Sequence, residues 1–206
     1  MVRDISLWHS ALCGWRAVLA QLEAELGRKE HARAVLDGLL ERDLENLRRD
    51  PFVLSALAPA AELCAFVGRP EQARLLYDAA LPYEHHHANV SFGIATYGPM
   101  ARHLGMLALR MGQPELAQLH LERAIGAAER MASPPFESLS RLALSRALLQ
   151  QHGSAARGRA TRALVRAHDL ANQFGLHALA HECRRVAERT GLSLARVHRH
   201  RLDTIR

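Results

Sequence analysis

Apolar residues recur along most of this chain at intervals of three and four, with polar residues between them. That spacing marks amphipathic helices, whereas strands would alternate at every second position. The stretch "VLSALAPAAE" running into "LCAFVG" shows the pattern well, and it ends on Gly68. The same spacing predicts helices over 12–26, 30–47, 54–67, 71–81, 96–111, 115–131, 136–151, 156–173 and 177–189. Polar and proline-rich joints, "RRDPF", "PYEHHHANVSFG" and "ASPPFE", separate them into pairs.

The turns within the pairs resemble one another. "LGRKEHAR", "VGRPEQAR", "MGQPELAQ" and "HGSAARGR" each carry Gly at the second position, at Gly27, Gly68, Gly112 and Gly153, spaced by 41, 44 and 41 residues. Five residues after each Gly stands a small residue: Ala32, Ala73, Ala117 and Gly158. Glu30, Glu71 and Glu115 come three after it, Leu36, Tyr77 and Leu121 nine after it, and Leu39, Ala80 and Ala124 twelve after it. A Gly after an apolar helical run adopts the left-handed conformation that ends a helix without steric cost. Pro70 and Pro114 suit a first helical turn, and Glu there faces the positive end of the helix dipole. The small residue lets the two helices of a hairpin approach. Each unit is therefore a helical hairpin, and such hairpins bury their apolar faces by stacking.

Composition supports helices. Ala, Leu and Arg dominate, aromatics make up 5%, and Val, Ile and Thr are sparse, which argues against sheets. The net charge is +6, but Lys29 is the only Lys among 27 basic residues, a skew typical of a GC-rich genome rather than of nucleic-acid binding. The charge is uneven. Residues 1–135 hold 14 basic and 16 acidic residues, and residues 136–206 hold 13 and 5, net +8. Cys13, Cys64 and Cys183 are odd in number and widely spaced, so neither a disulfide framework nor a zinc knuckle is expected. No apolar run reaches the roughly 20 residues a membrane helix needs, and the N-terminus lacks the pattern of a signal peptide. The expected location is cytoplasmic.

The offsets from the turn Gly resemble the tetratricopeptide repeat, whose pattern has Gly, Ala, an aromatic and Ala at these places. Tyr77 is the one aromatic retained, and the period exceeds that family's 34 residues. The stretches "LLYDAALPY" and "MARHLGMLALRMGQPELAQLHLERAIGAAERM" are further similar to the C-terminal region of large bacterial signalling ATPases. Some of those carry a LuxR-type DNA-binding domain and others a class III adenylate cyclase domain. "GWRAVLAQLEAELGRKEHARAVLDGL" and "DLENLRRDPFVLSALAPAAELCAFVG" resemble the preceding repeats of the same region. The resemblance implies an all-α, tetratricopeptide-like superhelix of about four hairpins plus a terminal helix over 1–191, followed by a basic tail over 192–206. It also implies a groove lined by the first helix of each hairpin. Position by position this names Gln21; Ser55 and Glu62; Arg102, Met106 and Arg110; and Gln150 and Gln151. Arg102 and Arg110 flank Met106, so a protein or acidic peptide, or a small anionic effector, is the expected partner. An ATPase domain in cis or in trans is implied as well.

Other candidates carry less. His85, His86 and His87 are consecutive, and adjacent side chains diverge rather than converge on a metal, so a joint is the simpler reading. His177 and His181 are four apart with Cys183 nearby, a spacing that can bind zinc, but no H-E-x-x-H accompanies them. Arg159, Arg162 and Arg166, with Arg157, form a basic stripe on one helix face that could meet phosphate or an acidic partner, or be an ordinary solvated face. In "VAERTGLSLARVHRHRLDTI", Val186, Ala187, Gly191, Leu192 and Val197 fall where a helix-turn-helix has its turn and core. Thr190 and His200 break that pattern, so a terminal cap is expected, with a DNA-binding regulator as the alternative. There is no P-loop, no nucleophile elbow and no Rossmann glycine pattern. The expectation is a regulatory binding module without cofactor and without catalysis in this chain; a metal-dependent enzyme using the histidines is the third reading. Ile5, Leu7, Trp8, Leu12, Trp15 and Val18 make the first helix apolar beyond what a terminal repeat needs, which suggests that something packs against it.

Overall fold

The computed structural model describes residues 9–44, 52–90 and 95–194. The chain is all-α in class, and its helices are α1 (His9–Glu25), α2 (Lys29–Gly38), α3 (Val53–Val67), α4 (Pro70–Ala80), α5 (Met100–Arg110), α6 (Pro114–Arg130), α7 (Pro134–Gln150), α8 (Ser154–Gln173) and α9 (His177–Thr190). Most of these fall within one or two residues of the helices expected from apolar spacing; α1 begins three residues before the expected 12, and two departures are larger. The second expected helix, 30–47, instead passes at Leu39–Asp43 into a π-helical turn. The helix expected from 96 begins at Met100, because the preceding residues form a two-stranded antiparallel hairpin, β1 (His87–Val90) and β2 (Ala95–Pro99). Val90, Thr96 and Tyr97 supply local strand preference in a chain otherwise poor in it. The joint "RRDPF" lies almost wholly outside the described residues.

The chain divides into two compact units, residues 1–116 and 117–206. In the first, α1 packs on α2 and α3, α3 on α4 and α5, and β1 lies on α3. In the second, α7 and α8 form a tight hairpin and α9 packs on α8.

In the first three copies the small and apolar repeat offsets are core positions, while Glu30, Glu71 and Glu115 are exposed. Ala32, Ala73 and Ala117 are fully buried, as are Leu36, Leu121, Leu39, Ala80 and Ala124 or very nearly so, and Tyr77 is 6% exposed. The turn glycines differ: Gly153, with φ +106° and ψ 155°, begins α8 rather than closing α7, and the other three are of two kinds. Gly27 and Gly112 have φ of +94° and +72°. They close the end of the preceding helix with paired bonds, Gly27 N to Ala24 O and Arg28 N to Glu23 O in one case, Gly112 N to Leu109 O and Gln113 N to Ala108 O in the other. Gly68 corrects the expectation of a left-handed turn: its φ is −72° and its ψ 170°. Its reason for being Gly is contact, because a Cβ there would lie 2.5 Å from the Cys64 sulfur and 2.7 Å from the Cys64 carbonyl oxygen. Gly14 works the same way between helices. A Cβ on it would stand 2.2 Å from the Ser55 carbonyl oxygen, so α1 and α3 meet at backbone distance.

The end of α9 uses the same capping chemistry as Gly27. At α9, Gly191 takes φ +63°, Leu192 N bonds Ala187 O at 2.9 Å and Gly191 N bonds Glu188 O at 3.4 Å. Leu192 and Leu194 then pack on a cluster of Leu142, Leu164, Ala167, Cys183, Val186 and Ala187. The first residues of the expected tail are thus part of the core of the second unit. Residues 195–206 lie outside the described residues.

Candidate functional site

In the first unit the expected groove residues converge, but on one another. Glu62 on α3 sits against Arg102 and His103 on α5. Arg102 Nη2 donates to Glu62 Oε1, with Met106 Sδ 3.3 Å from Arg102 Nη1 and the Tyr97 carbonyl oxygen 3.4 Å from Nη2. Arg102 is 5% exposed and His103 fully buried. The Pro99 carbonyl, 3.2 Å from His103 Nδ1, can only accept, so the imidazole proton sits on Nδ1. His103 Nε2 then accepts from Arg102 Nη2 at 3.1 Å. Burial holds the His103 pKa below its usual range and the Arg102 charge adds to this; Glu62 and the Pro99 carbonyl oppose it. Burial would raise the Glu62 carboxyl, but foremost the Arg102 charge beside it brings it down to about 2. The cluster is an ionised carboxylate and guanidinium with a neutral imidazole, and it fastens α3 to α5.

The neighbouring groove positions are tied down likewise. Ser55 Oγ donates to the Asn89 carbonyl oxygen on β1 at 3.0 Å. Arg110 Nε donates to the Gly68 carbonyl oxygen at 2.5 Å, which bridges the end of α5 to the α3–α4 turn. Gln21 is half-buried on α1. So the face of α3 and α5 where a groove was expected lies under the chain's own hairpin, and the guanidiniums of Arg102 and Arg110 are both engaged within their own unit. The sequence carries the signal for this in part: Glu62, six residues before Gly68, and Arg102, ten before Gly112, are oppositely charged residues on the first helices of consecutive hairpins.

In the second unit the expected groove residues stay apart from any cluster. Gln151 Nε2 donates to Gln118 Oε1 at 3.0 Å, and Gln150 is exposed. A recess of about 320 Å³ opens here between α6, α7 and α8. Ile125, Leu144, Leu148 and Ala163 form its floor, and Glu122, Arg141, Arg159 and Arg162 its rim. The rim guanidiniums differ in their neighbours. Arg141 lies 2.8 Å from both Glu129 and Glu137, and Arg159 lies 2.7 Å from Glu122. Arg162 is exposed and has no carboxylate partner among the described residues. The stripe read from the sequence is thereby resolved. Arg166 reaches Glu137 at 3.4 Å, and Arg157 donates to the Thr190 carbonyl oxygen at 2.6 Å, sealing the end of α9. A wider recess of about 650 Å³ at the α1–α2 turn has rim charges of both signs, Glu23 and Glu30 beside Arg28, Lys29 and Arg33, and offers no preference for either.

The remaining candidates fall in structural places. His85 is exposed beside Glu84, the His86 ring meets Tyr83 edge to face at 5.9 Å, and His87 begins β1. His177 and His181 are exposed on α9, while Cys183 on the same helix is fully buried. Among the described residues no group of three or more His, Cys, Asp or Glu could hold a metal ion. Burial pushes the Cys64 thiol up to about 12 and the Cys183 thiol to about 11. Val186, Ala187 and Leu192, the helix-turn-helix-like positions, belong to the core cluster of the second unit, and Gly191 is the helix cap already described. No helix among the described residues is long and apolar enough to cross a membrane.

No protein-family model matches this chain, and neither a curated protein nor a solved structure matches it.

Proposed function

We propose that this chain is a binding module of a bacterial signal-transduction or transcription regulator, acting by recognition of a partner rather than by catalysis. Its second unit takes an acidic peptide, or a small anionic effector with an apolar part, in the recess between α6, α7 and α8. The observation that carries the reading is Arg162. It stands at the rim of a recess with an apolar floor, on a rim shared with two arginines that already have carboxylate partners. A guanidinium in that setting presents a planar fork of donors to a carboxylate, while the floor beneath receives an apolar side chain. The surplus of positive charge in residues 136–206 favours the same class of partner.

The test is fluorescence anisotropy with a labelled peptide of Asp, Glu and Leu against the purified chain. Saturable binding that weakens as salt is raised, with no binding of a matched Lys and Leu peptide, is the expected result. Equal binding of both peptides, or binding of neither, contradicts the reading.

A further inference from the structure

The recess in the second unit holds one rim carboxylate of its own. Glu122 Oε1 accepts from Arg159 Nη2 at 2.7 Å and from Gln118 Nε2 at 3.1 Å. Gln118 is fixed in turn, because its Oε1 accepts from Gln151 Nε2 at 3.0 Å and its amide nitrogen is left to face Glu122. The chain from Gln151 through Gln118 to Glu122 thus runs from the end of α7 to the rim, and it sets the carboxylate against Arg159. This pair differs in exposure from its neighbour. The side chains of Arg159 and Glu122 are 42% and 46% exposed, whereas those of Arg141 and Glu137 are 23% and 11% exposed. An exposed pair contributes little to folding. Its consequence lies in what the recess offers to a ligand.

The balance of charge decides what that is. Arg141 and Arg166 are balanced by Glu129 and Glu137, and Arg159 by Glu122, so one positive charge is left over, on Arg162. Arg159 and Arg162 are three apart on α8, with about 5–6 Å between their Cβ atoms. A ligand carboxylate at Arg162 therefore leaves a second one within reach of Arg159. That second group must displace Glu122, and Glu122 then stays beside it as a like charge, which offsets the new pair. A first carboxylate gains a free guanidinium, and a second gains nothing. A phosphate monoester, with a charge of about −1.5 to −2, meets the same shortage of cations.

We infer that Glu122 is the specificity-determining residue of this recess, and that the ligand is bound through one carboxylate beside an apolar group. This rests on the reading of the recess proposed above and narrows it from an acidic partner to a single acidic contact.

Fluorescence anisotropy at about 0.15 M salt reads this with two labelled peptides, one of Leu and Gln with a single Glu, the other with Glu in place of every Gln. The parent chain should bind the two with dissociation constants within about threefold of each other. Glu122→Gln changes an exposed side chain and should keep the urea midpoint. It should tighten the Glu-rich peptide by at least about tenfold and leave the single-Glu peptide within about threefold of its parent value. Adding Arg159→Gln should abolish the gain. Glu188→Gln removes the same charge from an exposed place on α9 and should give no gain. No gain in Glu122→Gln, an equal gain for both peptides, or as large a gain from Glu188→Gln overturns the inference and leaves the reading of the recess in place. So does a parent chain that already binds the Glu-rich peptide about tenfold more tightly. Binding of neither peptide by the parent removes both.

Discussion

Arginine is put to opposite uses in the two units. In the first, Arg102 is enclosed, 5% exposed, with its charge set against Glu62 and its donors divided among Glu62, His103, Met106 and Tyr97. In the second, Arg141, Arg159 and Arg162 stand around an open recess, and their carboxylate partners are shared or absent. A buried pair costs several kcal/mol in desolvation, and it persists because each member satisfies the other. A rim arginine contributes little to folding and keeps its charge for what arrives from solvent. Enclosure, rather than residue type, therefore separates the arginine that holds the fold from the arginine proposed to recognise a partner.

The comparison is broken most severely at Arg102. Arg102→Met leaves Glu62 charged and without its main partner, and should cost about 3–5 kcal/mol of unfolding free energy. The double change Glu62→Leu with Arg102→Met should recover most of that loss, because no charge is then left without a mate. Urea unfolding of the two variants against the parent checks this, and equal losses in both would show that the pair is not what matters.

Gly14 is the next largest. Gly14→Ala sets a methyl group into the Ser55 carbonyl, where a Cβ would stand at 2.2 Å. The helices must separate, at a cost of about 1–3 kcal/mol. The measurement is the thermal midpoint, and an unchanged midpoint would show that α1 and α3 do not meet at backbone distance.

Acid should weaken the first unit in two steps. The pKa of His103 is held below its usual 6.5, so the unfolded chain takes up a proton that the folded chain resists. Its contribution to stability is therefore present above pH 6.5 and lost as pH falls. Glu62, lowered from 4.5 to about 2, adds a second loss as pH falls from about 4.5 toward 2. Urea midpoints at stepped pH should fall below pH 6.5 and again below 4.5. The double variant at Glu62 and Arg102 should lack the second fall, and its persistence there would assign that fall to other carboxylates.

A small gain is expected at the turn between α6 and α7. Ala132 holds φ +49° and closes α6 with the same paired bonds as Gly27, Ala132 N to Glu129 O and Ser133 N to Ala128 O. Ala132→Gly removes the steric penalty and should stabilise the second unit by about 0.5–1 kcal/mol. No gain in the urea midpoint would mean that the flexibility added to the unfolded chain cancels the relief.

The hairpins were legible in the sequence because their signals are local. Apolar spacing, Pro70 and Pro114 at helix starts and small residues five after the turn Gly are each set within a few residues, and they place most helix ends to within two. Gly68 was legible as a turn but not in its reason, since its contact with Cys64 depends on an extended rather than left-handed backbone. The groove was the harder case. Ser55, Glu62 and Arg102 sit where a repeat helix would face outward, and what turns them inward is the hairpin over 87–99, a contact distant in sequence. The recess was half legible: spacing placed Arg159 and Arg162 on one face, while the packing of α6 and α7 decides which of them has a carboxylate partner.

The most direct test is the affinity of the labelled acidic peptide for an Arg162→Ala chain, measured beside its urea midpoint. The account predicts a midpoint within about 0.5 kcal/mol of the parent and an affinity at least about tenfold weaker. Unchanged affinity, with the fold intact, would contradict it and remove Arg162 from any role in recognition.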